Sequence, residues 1–359
     1  MPRGLLIFFF SLFFSHAVAQ CETYTVFTPT DSTDHYCNGV VMTAFQDVLY
    51  CMWQCSPTDE DSDDTWVAYS RSTDNGQTWS NPQPLALPTA SSYCTSGGWI
   101  VRDDTLTAFI DVWQKDADPR GGTTYYIYST DGLTWSQPQP VMMADGSAMN
   151  GVLEQDPYTL SDGRLIGACH FQPGLHVCPV YTDDPSGWSG WKKGIFESED
   201  RGKQSRCLEP SQYLRPDGTI VMMFRDQAGT FRKLSSVSHN RGLSWSKPAV
   251  TSIPDARTKQ CAGNLPDGTA YMVSCPVDMK QRWPLVLLLS SDGIVFDRTL
   301  LLRSGAATDL PPRRYEGKAK TLGYNYPKAF VHRDWLYVSY SVNKELVQYT
   351  RILLSMLKE

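Results

Sequence analysis

Short alternations of apolar and polar residues, broken every few positions by turn formers, run from about residue 36 to the end of the chain. Successive residues of a strand face opposite sides of a sheet, so this period of two predicts half-buried β-strands. Segments 219–224 and 335–341 are also rich in the β-branched and aromatic residues that suit a pleated surface. Ser161-Asp162-Gly163, Pro216-Asp217-Gly218 and Pro266-Asp267-Gly268 punctuate them as hairpin turns. No stretch keeps a helical period, and only residues 353–359 suggest a short helical turn.

The alternation repeats as a unit. A polar or Gly-rich start leads to a strand, an Asp/Gly turn and a second strand. A third strand follows, then a fixed phrase, then a fourth strand that exits through Pro. The phrase reads Ser72-Thr73-Asp74-Asn75-Gly76-Gln77-Thr78-Trp79, Ser129-Thr130-Asp131-Gly132-Leu133-Thr134-Trp135, Ser238-His239-Asn240-Arg241-Gly242-Leu243-Ser244-Trp245 and Ser290-Ser291-Asp292-Gly293-Ile294-Val295-Phe296. A blurred copy spans Thr182 to Trp191, with Asp183 in the acidic place. The acidic or Asn positions recur about every 50–57 residues, the spacing of a multi-stranded repeat. The Asp accepts backbone N–H groups in a tight turn, the Gly supplies a positive φ, and the aromatic plugs the adjoining sheet.

Units start near Asn38, Gly98, Gln155, Pro210, Ala262 and Pro327. Six four-stranded units arranged radially make an all-β, six-bladed β-propeller with few exposed edges. The last unit lacks the phrase, and residues 24–27 are expected to supply its missing outer strand. A seven-bladed count would need a blade within 300–326, which has little strand character.

The first residues lie outside that repeat. Arg3 precedes an apolar run over residues 5–14, and Ala17-Val18-Ala19 is a small-x-small cleavage site. Residues 1–19 therefore read as a secretory leader, and 20–359 as a single propeller domain. The apolar run is too short for a membrane span, so a soluble, secreted, monomeric protein without membrane insertion is expected. Ten cysteines fit an oxidising compartment and up to five structural disulfides, favoured over zinc because no Cys/His quartet has finger spacing. The net charge of −6 argues against nucleic acid.

Propeller topology gathers the innermost-strand starts and the second-strand ends at one mouth, opposite the repeated phrase. The starts contribute His35, Asn38, Trp99, Glu154, Gln155, Asp156, Glu209, Gln212, Asn264, Tyr324, Tyr326 and Lys328. The second-strand ends contribute Trp53, Gln54, Trp113, Lys115, His170, Arg225, Asp226, Asp278 and Lys344. Aromatic faces, amides and carboxylates suit a pyranose, and cations suit an acidic sugar carboxylate. The competing reading is that many of these groups pair with each other in the channel wall.

The repeated phrase on a six-unit all-β chain resembles the Asp boxes of the sialidase (neuraminidase) superfamily. The stretch from Cys207 to Arg225 is similar to the family segment that supplies a Glu and a substrate-binding Arg. That resemblance implies Glu209 as the residue polarising the nucleophile and Arg225 as a carboxylate grip. The segment Gly323-Tyr324-Asn325-Tyr326-Pro327-Lys328 resembles the stretch bearing a nucleophilic Tyr, which implies Tyr324. Arg313 or Arg314 would stand for another arginine of the family's clamp. The chain departs from the pattern at the first innermost strand, where His35-Tyr36-Cys37-Asn38-Gly39 replaces Arg-Ile-Pro. A clamp arginine is thus missing, and Asp156, with Asp111 as its rival, is the candidate acid/base.

The expectation is an exo-acting glycoside hydrolase on an acidic oligo- or polysaccharide, with Tyr324, Glu209, His170 and Asp156 catalytic. Arg225, His35, Asn38, Trp99, Glu154, Gln155, Gln212, Trp113, Tyr326, Lys328 and Lys344 are the expected substrate-binding set. Two alternatives stand beside it. One is a polysaccharide lyase using His170, His35 or a tyrosine as base against a uronic-acid linkage. The other is a non-catalytic glycan-binding propeller. Neither mechanism requires a cofactor.

Overall fold

The computed structural model describes residues 21–197 and 207–358; the expected leader, residues 1–19, lies outside them. Six antiparallel sheets account for the described strands, apart from one short parallel pair. Blade 1 runs outward through Tyr36–Phe45, Val48–Ser56, Trp66–Ser72 and Gln83–Ala86. Blade 2 uses Ser92–Arg102, Thr105–Gln114, Gly122–Ser129 and Gln139–Pro140. In blade 3 the inner strand is split into Gly151–Val152 and Tyr158–Thr159, both paired with Leu165–Phe171, and His176–Thr182 and Lys192–Lys193 follow. Blade 4 comprises Cys207–Leu214, Ile220–Asp226, Arg232–Ser238 and Ala249–Pro254. Blade 5 comprises Cys261–Asn264, Ala270–Ser274, Leu285–Ser290 and Arg298–Arg303.

Blade 6 closes the ring. Its strands Tyr324–His332, Trp335–Val342 and Leu346–Leu353 come from the C-terminal end, and the outer position is taken by Cys21–Phe27. The expected N-terminal contribution is therefore present and slightly longer than the sequence suggested. Each of the six large hydrophobic clusters bridges two adjacent blades. Val41, Tyr50 and Met52 meet Trp99, Ala108 and Ile110 between blades 1 and 2, and Trp53 meets Tyr337 and Tyr349 between blades 1 and 6. A sheet buries both faces only when it has a neighbour on each side, so this packing is what makes the ring.

The repeated phrases form the expected turns between third and fourth strands. Asp131 Oδ1 accepts the N–H groups of Leu133 at 2.8 Å and Thr134 at 2.7 Å, and the Ser129 hydroxyl donates to it at 2.9 Å. Gly132 has φ +67, and a Cβ there would lie 1.8 Å from the Tyr50 hydroxyl of the neighbouring blade. In the blurred copy the register is one residue later than expected. Asp184 takes the turn N–H groups of Ser186 and Ser189, while Asp183 pairs with Arg164.

The expected disulfides are not formed by Cys21, Cys37, Cys51, Cys55, Cys94, Cys169, Cys261 or Cys275, whose thiols are free. Most of these side chains are buried in the hydrophobic clusters, where a thiol packs as a small apolar group. No helix among the described residues is long and apolar enough to cross a membrane.

Candidate active site

A cavity of ≈ 260 Å³ opens at the predicted mouth, and residues from five blades and the loop leading into the remaining one line it. Its wall owes its shape to a repeated irregularity. The inner strands slip register against their partners between Asn38 and Val41, Ser96 and Trp99, Leu208 and Ser211, and Asn325 and Lys328. The residues inside three of these bulges, Gly39, Glu209 and Tyr326, have φ of +61, +51 and +53. A bulge bends its strand and re-aims a side chain. Non-glycine residues at positive φ are costly, and they persist only where surrounding structure holds them.

Glu209 and Tyr326 meet on Arg225. The guanidinium Nη1 donates to both Glu209 oxygens, at 3.2 Å and 3.0 Å, and the Arg225 side chain also reaches the Tyr326 hydroxyl. Burial alone would raise the Glu209 carboxyl, but Arg225 and then Lys259 outweigh it and hold the pKa at about 2. Burial, followed by the Glu209 and Glu60 charges, drives the Tyr326 phenol well above its ordinary range, against the pull of Arg225 and Arg282. Three more cations face the Tyr326 ring: Lys259 at 5.0 Å, Arg282 at 5.4 Å and Lys344 at 5.6 Å from its centre.

His170 holds the Glu209 bulge. Its Nε2 lies 3.3 Å from the Glu209 N–H and accepts from it, which assigns the proton to Nδ1, 4.0 Å from a Glu154 oxygen. Burial lowers its pKa below the ordinary value, with Glu154 and Glu209 opposing, so the ring is neutral at pH 7. Its one lone pair is therefore engaged with backbone.

Of the residues expected from the sequence, Glu209, Arg225, His170, Glu154, Trp113 and Tyr326 line the cavity together, and so does Asp111. Tyr324 does not. It is fully buried between blades 5 and 6 and donates to the Ser304 and Asp309 carbonyls at 2.8 Å and 3.1 Å. Asp156 is also away from the cavity, with Oδ1 accepting the Trp99 N–H at 2.7 Å. Trp99 packs between blades 1 and 2, and its indole donates to Val41. His35 stacks on Tyr315 with ring centres 3.8 Å apart and bonds Thr30.

The other expected binding residues form the layer behind the wall. Asn38 and Lys344 donate to Glu60, at 3.3 Å and 2.6 Å. Gln155 ties blade 3 to the Gln260 and Glu209 carbonyls, Lys328 donates to Gly97, and Gln212 is buried. Arg313 pairs with Glu316 and Arg314 donates to Pro29, so neither lines the cavity. Sequence reasoning missed Glu60, Asp61, Arg120 and Lys259, which sit on loops between strands. The dense run Asp59-Glu60-Asp61 after a second strand was the available signal for the first two.

One family model, the BNR repeat-like domain, matches residues 47–338. The chain belongs to that family. Among solved structures, this BNR-like chain is similar to a protein of unknown function from Dyadobacter fermentans, with a TM-score of 0.71 and 15% identity over 94% of this chain and 100% of that one. A Hadza microbial sialidase gives 0.71 and 15%, covering 93% of this chain and 69% of that chain. Trypanosoma rangeli sialidase in complex with sialic acid gives 0.63 and 16%, covering 93% of this chain and 57% of that longer one. At such identities the likeness establishes the sialidase-type propeller fold. No curated protein matches.

Proposed function

We propose that this BNR-like propeller is a secreted, exo-acting glycoside hydrolase for an acidic sugar, with Tyr326 as nucleophile and Glu209 as its proton acceptor. The observation that carries the reading is the meeting of Tyr326 and Glu209, both on strained bulges, across one arginine. A neutral phenol approaches the anomeric carbon of an anionic sugar without the repulsion a carboxylate nucleophile would meet. A carboxylate held at about 2 is a weak base, yet the same contact makes it responsive. The buried Arg225 Nε–H has no acceptor among the described residues, so a substrate carboxylate taken up there would draw the guanidinium from Glu209 and raise its basicity.

The surrounding cations support an anionic substrate. Lys259, Lys344 and Arg225 hold Glu154, Glu60 and Glu209, whereas Arg282 bonds the amide oxygen of Asn325 rather than a carboxylate. A further carboxylate would balance that group. Elimination with His170 as base is disfavoured, because its free lone pair is spent on Glu209.

Chromatography of acidic oligosaccharides incubated with the protein tests this. The expected result is release of a saturated monosaccharide, with Tyr326→Phe at least about 100-fold slower. Binding without release would make it a glycan-binding protein, and a rise in unsaturated-uronate absorbance would make it a lyase. A Tyr326→Phe enzyme at full rate would remove Tyr326 from the mechanism.

A further inference from the structure

The bulge that aims Glu209 into the cavity also takes its backbone out of register. Between Leu208 and Ser211 the inner strand of blade 4 slips, so Glu209 and Pro210 have no opposite residue in Ile220–Asp226. A buried peptide group in such a place needs partners from elsewhere. Side chains of the neighbouring blades supply them. His170 Nε2 accepts the Glu209 N–H, and the Glu209 carbonyl accepts from Gln260 Nε2 at 3.3 Å and Gln155 Nε2 at 3.4 Å.

Gln260, just before the inner strand of blade 5, is fully buried, and its amide has one possible orientation. Oε1 accepts from Lys233 Nζ at 3.0 Å. An ammonium has no lone pair to offer an amide N–H, so Nε2 must point the other way, to the Glu209 carbonyl and to the Met223 carbonyl at 2.8 Å. Gln155 secures the same residue by donating to the Gln260 carbonyl at 2.8 Å.

Lys233, on the third strand of blade 4, is fixed in turn. Besides Gln260 it donates to the Thr258 carbonyl at 3.1 Å and to Asp255 Oδ1 at 2.8 Å. The side chains of this ion pair are both 0% exposed. The second Asp255 oxygen accepts the N–H of Asp226, the residue after Arg225, at 3.2 Å. The pair therefore grips both sides of the Glu209–Arg225 contact, one through Gln260 and the other through the backbone.

A fully buried ion pair is weak evidence for stability, because desolvation takes back much of the attraction. What this one supplies is direction. It sets which way the Gln260 amide faces, and that amide helps hold Glu209 at its φ of +51, a conformation that persists only where surrounding structure over-determines it. Resting on the hydrolase reading above, we infer that Gln260, oriented by the buried Lys233–Asp255 pair, is a positioning residue that keeps Glu209 where it takes the Tyr326 proton.

Gln260→Met keeps the length of the side chain and removes both amide groups. Its partner in the test is Leu287→Ala, a truncation in the buried cluster between blades 5 and 6. On an acidic glycoside, Gln260→Met is expected to lower kcat by about 10- to 100-fold with KM nearly unchanged, as a displaced catalytic group does. Hydrogen exchange of the Glu209 amide, read at residue level in the folded protein without substrate, should quicken by about tenfold or more. Leu287→Ala should lower Tm and move neither reading. Where Gln260→Met does not fold, Gln260→Glu carries the same two expectations, because it keeps an acceptor for Lys233 and loses the donor to Glu209. Wild-type kcat and exchange in these variants, or equal changes in Leu287→Ala, overturn the inference. Faster Glu209 exchange in Gln260→Met, with no sugar released even by the wild type, overturns the hydrolase reading and leaves the hold on Glu209 standing.

Discussion

At the scale of single residues, the buried Asp111 carboxyl ties stability to pH through its proton. The folded carboxyl titrates at about 8 and the unfolded one at its ordinary 3.8. Between those values the native state carries a proton that the unfolded chain has lost, so stability falls as pH rises across that window. Asn in place of Asp removes the term. Urea unfolding of Asp111→Asn should therefore show a gain over wild type that is small near pH 4 and grows toward pH 8, a few degrees when read as Tm. A difference independent of pH would mean that Asp111 is ionised in the folded protein.

At the scale of the strand and turn, legibility in the sequence depended on how local the determinants were. The Asp boxes were readable because each turn is made by residues within its own phrase, as the turn bonds of Ser238, Asn240, Gly242 and Ser244 to one another show. The site was half readable. Glu209 and Arg225 face each other because they flank one hairpin, a pair that the family resemblance of residues 207–225 implied. The resemblance to the family's Tyr-bearing stretch implies Tyr324, but the bulge between Asn325 and Lys328 breaks the strand's alternation, so Tyr326 lines the cavity and Tyr324 does not. Nothing local announces such a bulge except the following Pro327. Asp111 owes its raised pKa to burial and then to the Glu154 charge on another blade, which no local pattern encodes. The turns can be probed through their plug. Trp245 is fully buried against blade 3 residues such as Ile166 and donates to the Gly242 carbonyl at 3.0 Å. Trp245→Ala should cost about 3–5 kcal/mol in denaturant unfolding, by analogy with large buried truncations. Leu243→Ser, two residues away and 45% exposed, should change stability by less than about 0.5 kcal/mol. Similar effects from both would contradict a plugging role for the Trp.

At the scale of the whole molecule, the cavity exists only while the ring is closed, since its walls are drawn from blades that meet at the axis. Closure depends on the pairing of Cys21–Phe27 with Leu346–Leu353, reinforced by Tyr24 stacked on Tyr349 at 5.4 Å, the Thr23–Thr350 hydroxyl pair at 2.8 Å and Arg351 on Glu22 at 2.6 Å. Strip that strand away and blade 6 presents an unpaired edge, the usual template for association with another chain. It also uncovers part of the cluster that joins blade 6 to blade 1, where Tyr24, Val26 and Phe27 pack beside Trp53, Tyr337 and Tyr349. Those contacts hold the blade 1 wall, with Gly39, Gln54 and Glu60, against Tyr326 of blade 6. Removing residues 21–27 is thus expected to abolish ligand binding at a site the strand never touches, and to shift the protein toward larger soluble oligomers or aggregate on size-exclusion chromatography. Tyr24→Ala is the graded version. It should lower Tm while leaving the cavity's affinity unchanged below the transition, because the ladder and the Arg351–Glu22 pair remain. Loss of binding in Tyr24→Ala at a temperature where its circular dichroism is native would place the strand in the site itself rather than in the closure of the ring.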